Sequence, residues 1–322
     1  MSHRPPEQGE TDLVTDRTVV PPILPEEAYE GMQVVARSDV GCVREENQDF
    51  MGWFVAGPRQ LLVVADGMGG HSGGYEASRL SVQAIGEVFS DDPKRDPEEL
   101  LDAAIQAANT RVLAVGGDTP TLRGMGSTAV LALVEEDQLW IAHVGDSRAY
   151  LVRAGEAIRL TRDHTQVNRM VAAGLIPETH ADGHPLGHIL DRSVGSGPEL
   201  DVEVAEPISL MPHDRVVLCS DGFSGMLTDY EVGQQFAPQK DLDDSVRSGI
   251  EMALERGAPD NTTIAAMAVE SGEPLPEIRR PEPPPPMERT SFETEPSTSA
   301  KVLMTLLVVA ASTLVLWFVS TL

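Results

Sequence analysis

Leu61-Leu-Val-Val-Ala-Asp66-Gly-Met-Gly-Gly-His-Ser-Gly-Gly74 is the stretch on which the reading of this chain turns. Five apolar residues, 61–65, run straight into an acid and a set of glycines. A short apolar run closed by glycine reads as a buried strand rather than a helix. Asp66 then stands at the end of a core strand, and Gly67, Gly69 and Gly70 let the backbone turn tightly beside it. A carboxylate there, next to carbonyls left free by the turn, suits a hard cation such as Mg²⁺ or Mn²⁺. The plainer reading, a solvated turn-forming Asp-Gly pair, carries equal weight for this stretch alone.

Outward from it, residues 50–55 form a strand and the hairpin partner of 61–65, and residues 32–37 form a first strand. The polar loop 38–49 between them carries Arg44 and Asp49. Beyond Gly74, Ala77, Leu80, Ala84, Ile85, Val88 and Phe89 follow helical spacing. A second helix opens at Asp96-Pro-Glu-Glu99, where Asp96 caps, Pro97 fits the first turn and Glu99 completes a capping-box-like pattern. Gly116 and Gly117 close it. Strands return at 127–134, 138–144 and 148–152, joined by short turns that argue for antiparallel pairing. Residues 164–173 form a short helix, 175–197 an irregular flap, 215–219 a strand, 242–256 a helix and 262–269 a last strand. This order predicts an α+β fold, a four-layer αββα sandwich of two antiparallel sheets with helices outside.

Composition sets the limits. The chain has 322 residues, 41% of them hydrophobic, enough for one large domain with extensions or for two domains. Its 51 acids against 24 bases, net −27, argue against a nucleic-acid partner, which needs a basic face. Cys42 and Cys219 are too few for a disulfide framework or a thiolate metal site, and a reduced setting fits. Residues 1–30, rich in proline and acids, read as an extension, 31–271 as the folded domain and 272–300 as a Pro/Glu-rich linker. Residues 302–319 carry no charge and suffice to cross a bilayer, with Trp317 near one end and Lys301, Arg289, Arg280 and Arg279 on the other side. Residues 301–322 are therefore expected to be a single-pass C-terminal membrane anchor, leaving the domain in the cytoplasm.

The same ending recurs: Val-Val-Ala-Asp66-Gly and Leu-Cys-Ser-Asp221-Gly. A third acid, Asp260, precedes the last strand, and Asp146 lies in Val-Gly-Asp-Ser-Arg148. Acids at several strand ends can converge on one edge of a sheet. The series continues with Asp39-Val-Gly-Cys-Val-Arg44-Glu-Glu-Asn-Gln-Asp49, Gly124-Met-Gly-Ser-Thr-Ala129, Leu160-Thr-Arg-Asp-His164, His184-Pro185 and Asp260-Asn-Thr262. On these blocks, in this order, the chain resembles the type 2C metal-dependent Ser/Thr protein phosphatases, the PPM family, of the bacterial type.

The resemblance implies two, or three, Mn²⁺ or Mg²⁺ ions that activate water and need no phospho-enzyme. It makes Asp66 the bridging ligand, Gly67 a carbonyl ligand, Asp221 and Asp260 carboxylate ligands and Asp49 a partner of ion-bound waters. Asp146 joins Asp221 at a third, weaker site. Arg44 is expected to grip the phosphate, for which a guanidinium fork suits. Implied partners are phosphorylated proteins, among them Ser/Thr kinases and their targets. Asn261 either orients a ligand or caps the strand turn; Ser147 and Arg148 are expected to support their turn. Gln48 stands where many members have Glu, and Met68 where many eukaryotic members carry a His proposed as general acid. His180, His184 and His188 in the flap could suggest a transition-metal site by type alone, but no Cys or clustered acid joins them, and His184-Pro185 matches a family structural pattern. The rival reading is a non-catalytic phosphoprotein-binding relative, against which Asp66, Asp221, Asp260 and Arg44 together argue.

Overall fold

The computed structural model describes residues 32–70, 73–181 and 184–269. The chain divides into two units at Leu275, and all described residues belong to the first. The expected extension, linker and anchor lie outside the described residues.

Among the described residues, twelve strands and six α-helices follow in order: β1 Met32–Asp39, β2 Asp49–Ala56, β3 Arg59–Met68, α1 Gly73–Asp91, α2 Pro97–Asp118, β4 Gly126–Ser127 and β5 Ala129–Glu135. Then come β6 Gln138–Val144, β7 Arg148–Arg153, β8 Glu156–Arg159, α3 Gln166–Ala172, β9 Glu203–Val204, β10 Ile208–Ser209 and β11 Arg215–Cys219. The helices α4 Asp221–Ser224, α5 Asp229–Gln235 and α6 Leu242–Glu255 precede β12 Thr262–Val269. One sheet runs β1-β12-β11-β7-β8; the other runs β10-β6-β5-β3-β2, with β9 on β6 and β4 on β3. Every pairing is antiparallel.

Side-chain alternation along the strands builds the layers. In β3, Leu62 and Val64 enter a core shared with Val216, Leu218 and Ala265 of the other sheet. Leu61, Val63 and Ala65 enter a second core with Ile85, Phe89, Leu101 and Ile105 of α1 and α2. In β11, Val217 and Cys219 face a third core with Phe223, Val232, Phe236, Val246 and Ile250. Both sheets are thus covered on both faces, and this is why their central strands are unbroken apolar runs. Each large apolar side chain so buried contributes about 1.5–3 kcal/mol. The two-sheet α+β sandwich is the expected one.

Local departures have local causes. The run expected at 127–134 breaks at Thr128, whose N–H donates to Asp66 O (2.8 Å) while its Oγ1 accepts from Asp66 N (2.9 Å). Helix α2 runs on through Gly116 and Gly117 to Asp118; a Cβ on Gly116 would come within 3.3 Å of Leu122 O, so the glycine serves a close approach. At its other end the Asp96 carboxylate accepts from Glu98 N and Glu99 N as expected. Helix α3 starts two residues later than expected, capped by Thr165.

Candidate active site

The acids meet at one edge of the sandwich, where strand ends from both sheets converge. Asp49 opens β2 and stands opposite Asp66 of β3 in register. Asp221 follows β11 and begins α4, Asp260 precedes β12, and Asp146 occupies the β6–β7 turn. Asp66, Asp146, Asp221 and Asp260 line one cavity of about 500 Å³, together with Arg44, Met68 and His188.

The glycine after two of these acids has a steric reason. A Cβ on Gly67 would lie 1.9 Å from Gly74 O, and one on Gly222 would lie 2.0 Å from Asn261 O. Only glycine lets neighbouring backbone pack so closely behind the carboxylates.

Asp49 is fully buried. Its Oδ2 accepts from Ser220 Oγ (2.7 Å) and Thr263 Oγ1 (2.6 Å), while its Oδ1 has no partner among the described residues. Asp221 Oδ1 is likewise without a partner. A buried carboxylate oxygen left open costs desolvation energy unless something is meant to fill it. Burial pushes Asp49 up to about 7, and the charges of Asp221 and Asp260 add to the push. Burial and then the Asp221 charge push Asp146 up to about 8. Asp66 is raised well above the usual carboxylate range by burial and then by Asp49; Asp221 is raised by burial and then by Asp260. Clustered, desolvated oxygen donors that repel one another are a donor set for hard divalent cations, and Mn²⁺ and Mg²⁺ fit it.

Arg44 lies at the rim, half-exposed, with Nη2 2.6 Å from Asp260 Oδ2. Asn261, for which the sequence allowed two roles, proves to be scaffold. Its Nδ2 donates to Val40 O and Glu46 O and its Oδ1 accepts from Gln48 N, so it holds the loop that carries Arg44. Ser147 and Arg148 support their turn, as expected. Ser147 Oγ meets Thr128 Oγ1 at 2.6 Å, and the Arg148 fork grips the Asp163 carboxylate at 2.9 and 2.7 Å. Sequence reasoning assigned nothing to Ser220, Thr263 or Thr128. Their signal was adjacency to the acid motifs, but what each holds lies far along the chain.

His143, His164 and Glu203 also bring ligand atoms within 4.8 Å of one another. The two rings stack, however, with centroids 4.3 Å apart and planes 20° off parallel. Nitrogen lone pairs lie in the ring planes, so near-parallel rings do not aim at one ion. His164 Nδ1 accepts from Gly145 N (3.2 Å), so its Nε2 donates to Glu203 Oε2 (3.1 Å). Burial pushes both imidazoles below their usual range. This group is a clamp that fastens β9 to the turn carrying Asp146.

A layered sandwich thus carries a hard-donor acid cluster at its edge, beside a cavity lined also by an arginine. The chain belongs to the protein phosphatase 2C family, whose model matches residues 43–258. Serine/threonine protein phosphatase PstP of Mycobacterium tuberculosis is 38% identical over 242 residues, covering 74% of this chain and 45% of that protein. The chain therefore spans less than half of that relative's length. A putative protein phosphatase 2C-type of Streptococcus pyogenes is 35% identical over 249 residues, 74% of this chain and 98% of its own. Among solved structures, the serine/threonine phosphatase of S. agalactiae superposes with a TM-score of 0.70 at 33% identity, covering 74% of this chain and 100% of that one. The PstP catalytic domain in complex with two manganese ions gives 0.64 at 35% identity, covering 74% and 99%.

Proposed function

We propose that this chain is a metal-dependent protein phosphatase that removes phosphate from phosphoserine and phosphothreonine. The observation that carries the reading is the pair of open, buried oxygens, Asp49 Oδ1 and Asp221 Oδ1, within the edge cluster of acids. The cavity's lining supports it too. Four aspartates face a single arginine, and a phosphate dianion would be repelled unless cations offset them.

Asp66, Asp221, Asp260 and the Gly67 carbonyl would hold the ions, with Asp49 behind them and Asp146 completing a further site with Asp221. When bound, paired divalent ions lower the pKa of the attacking water and offset charge on the phosphoryl group. Arg44, held on a loop pinned by Asn261, presents its guanidinium fork to the phosphate oxygens. Thr128 and Ser147 fix the backbone around Asp66, and Ser220 with Thr263 fix the direction of Asp49. Release of phosphate from a phosphothreonine peptide by the full chain tests the reading. It is expected with Mn²⁺ or Mg²⁺ and absent with chelator. A folded chain that binds metal and peptide without turnover would favour the phosphoprotein-binding reading instead.

Phosphorylated proteins, Ser/Thr kinases among them, are the proposed substrates. The uncharged run 302–319 after a proline-rich linker supports tethering to the cytoplasmic membrane; no helix among the described residues is long and apolar enough to cross one. Cell fractionation checks this. The full chain is expected in the membrane pellet and a version ending at Glu270 in the supernatant. Both in the supernatant would remove the anchor.

A further inference from the structure

Cleavage of a phosphoserine or phosphothreonine ester expels an alkoxide, a poor leaving group unless a proton reaches its oxygen as the bond breaks. A positioned acid supplies that proton in enzymes of this kind of chemistry, and histidine is the side chain that titrates nearest neutral pH. Besides the carboxylates and Arg44, the cavity is lined by one group among the described residues with a readily transferable proton, His188. Met68, which also lines the cavity, has none.

His188 is exposed, yet its backbone is tied down. Two turns shape the segment, Gly187 N donating to His184 O (2.8 Å) and Ile189 N to Leu186 O (3.2 Å). The next residues are fastened to the root of α3. Gln166 N donates to Ile189 O (2.8 Å), Leu190 bridges Thr165, and Asp191 N donates to His164 O (2.8 Å). His164 N in turn donates to Gly145 O (2.9 Å), beside Asp146. Further on, Val194 pairs with Ser127, which pairs with Gly67. The strap bearing His188 is thus bonded on one side to the turn carrying Asp146 and on the other to the strand end carrying Asp66.

We propose that His188 is the proton donor to the leaving seryl or threonyl oxygen. The proposal rests on the phosphatase reading. Water oxygen bonds to phosphorus as the phosphorus–oxygen ester bond breaks. The bonding pair stays on the alcohol oxygen, which takes a proton from the His188 imidazolium. The neutral ring regains a proton from solvent, which receives the one shed by the attacking water. Ester and water become alcohol and phosphate.

The full chain, His188→Ala and His188→Gln are compared with Mn²⁺ on a phosphothreonine peptide and on p-nitrophenyl phosphate, whose phenolate leaves without a proton. Both variants are expected to lose about 10²-fold in kcat on the peptide and to stay within about threefold on the aryl ester. Mn²⁺ affinity, measured by calorimetry, should not move, which also reports that the variants are folded. Equal losses on both substrates, or no loss on either, would overturn the assignment; the second result would hand the proton to water. An unmutated chain inactive on both substrates would overturn the phosphatase reading itself, and with it this role.

Discussion

Asp221→Asn is expected to abolish turnover of a phosphothreonine peptide, lowering kcat roughly 10³-fold or more. Several kcal/mol of transition-state charge stabilisation are lost with the carboxylate, at tenfold in rate per about 1.36 kcal/mol. The amide has the carboxylate's shape, Asp221 Oδ1 makes no hydrogen bond among the described residues, and the hydrogen bond the Asp221 side chain shares with Asp66 can be donated by the amide. Repulsion from Asp260, which helps raise Asp221 above its usual range, is relieved. The variant should therefore melt no lower than the parent in the absence of ions while binding Mn²⁺ more weakly. Kinetics at saturating Mn²⁺, paired with calorimetry and a melting curve, separate the two effects. Activity within tenfold of the parent would take Asp221 out of the ion-holding set.

The second large effect is a dependence of ion-free stability on pH. Asp49 titrates at about 7 and Asp146 at about 8 in the folded chain, against an ordinary value of 3.8. Between about pH 4 and those values the folded state holds protons that the unfolded chain has released, so stability falls as pH rises through that window. The ion-free chain is therefore expected to melt several degrees lower at pH 8 than at pH 5. Divalent ions replace the protons, and Mn²⁺ at a hundredfold excess over its Kd returns about 2.7 kcal/mol at pH 8. Melting curves at pH 5 and pH 8, each with chelator and with Mn²⁺, should show the two ion-free curves apart and the ion-bound curves close together. Ion-free curves that coincide would contradict the raised carboxylates.

The sandwich was legible because its cores impose a pattern. Residues 61–65 are apolar without interruption since Leu62 and Val64 serve the inter-sheet core while Leu61, Val63 and Ala65 serve the helix side. The strand's true length, Arg59–Met68, was not legible, because Gly67 and Met68 are strand only through pairing with β4, a tertiary event. Strand β8, largely exposed at an edge, has no pattern to read. Helix α5 had a signal that went unused, the Thr228–Glu231 capping box. At the site, the acids and Arg44 stood in motif order, and the structure brings Asp66, Asp146, Asp221, Asp260 and Arg44 to one cavity while Asp49 is buried outside its lining. The hydroxyls that aim Asp49 come from Ser220 and Thr263, 171 and 214 residues away in the chain. No local spacing reports such contacts. Asn261 could be resolved only by seeing that its three bonds run to the backbone of the loop 40–48.

Asp49 and Asp66 lie in strands of one sheet, Asp221 and Asp260 stand just beyond strand ends of the other, and Asp146 sits where the chain crosses between them. The distance across the acid cluster is therefore set by how far apart the two sheets ride, a spacing held by side chains such as Leu62, Val130, Val216 and Leu218. Selection acting on chemistry at the edge must reach into that interior. A methylene gained or lost between the sheets shifts the carboxylates relative to one another without altering any of them. Substitutions at these buried positions are then expected to change ion binding from inside the sandwich while every acid at its edge stays the same.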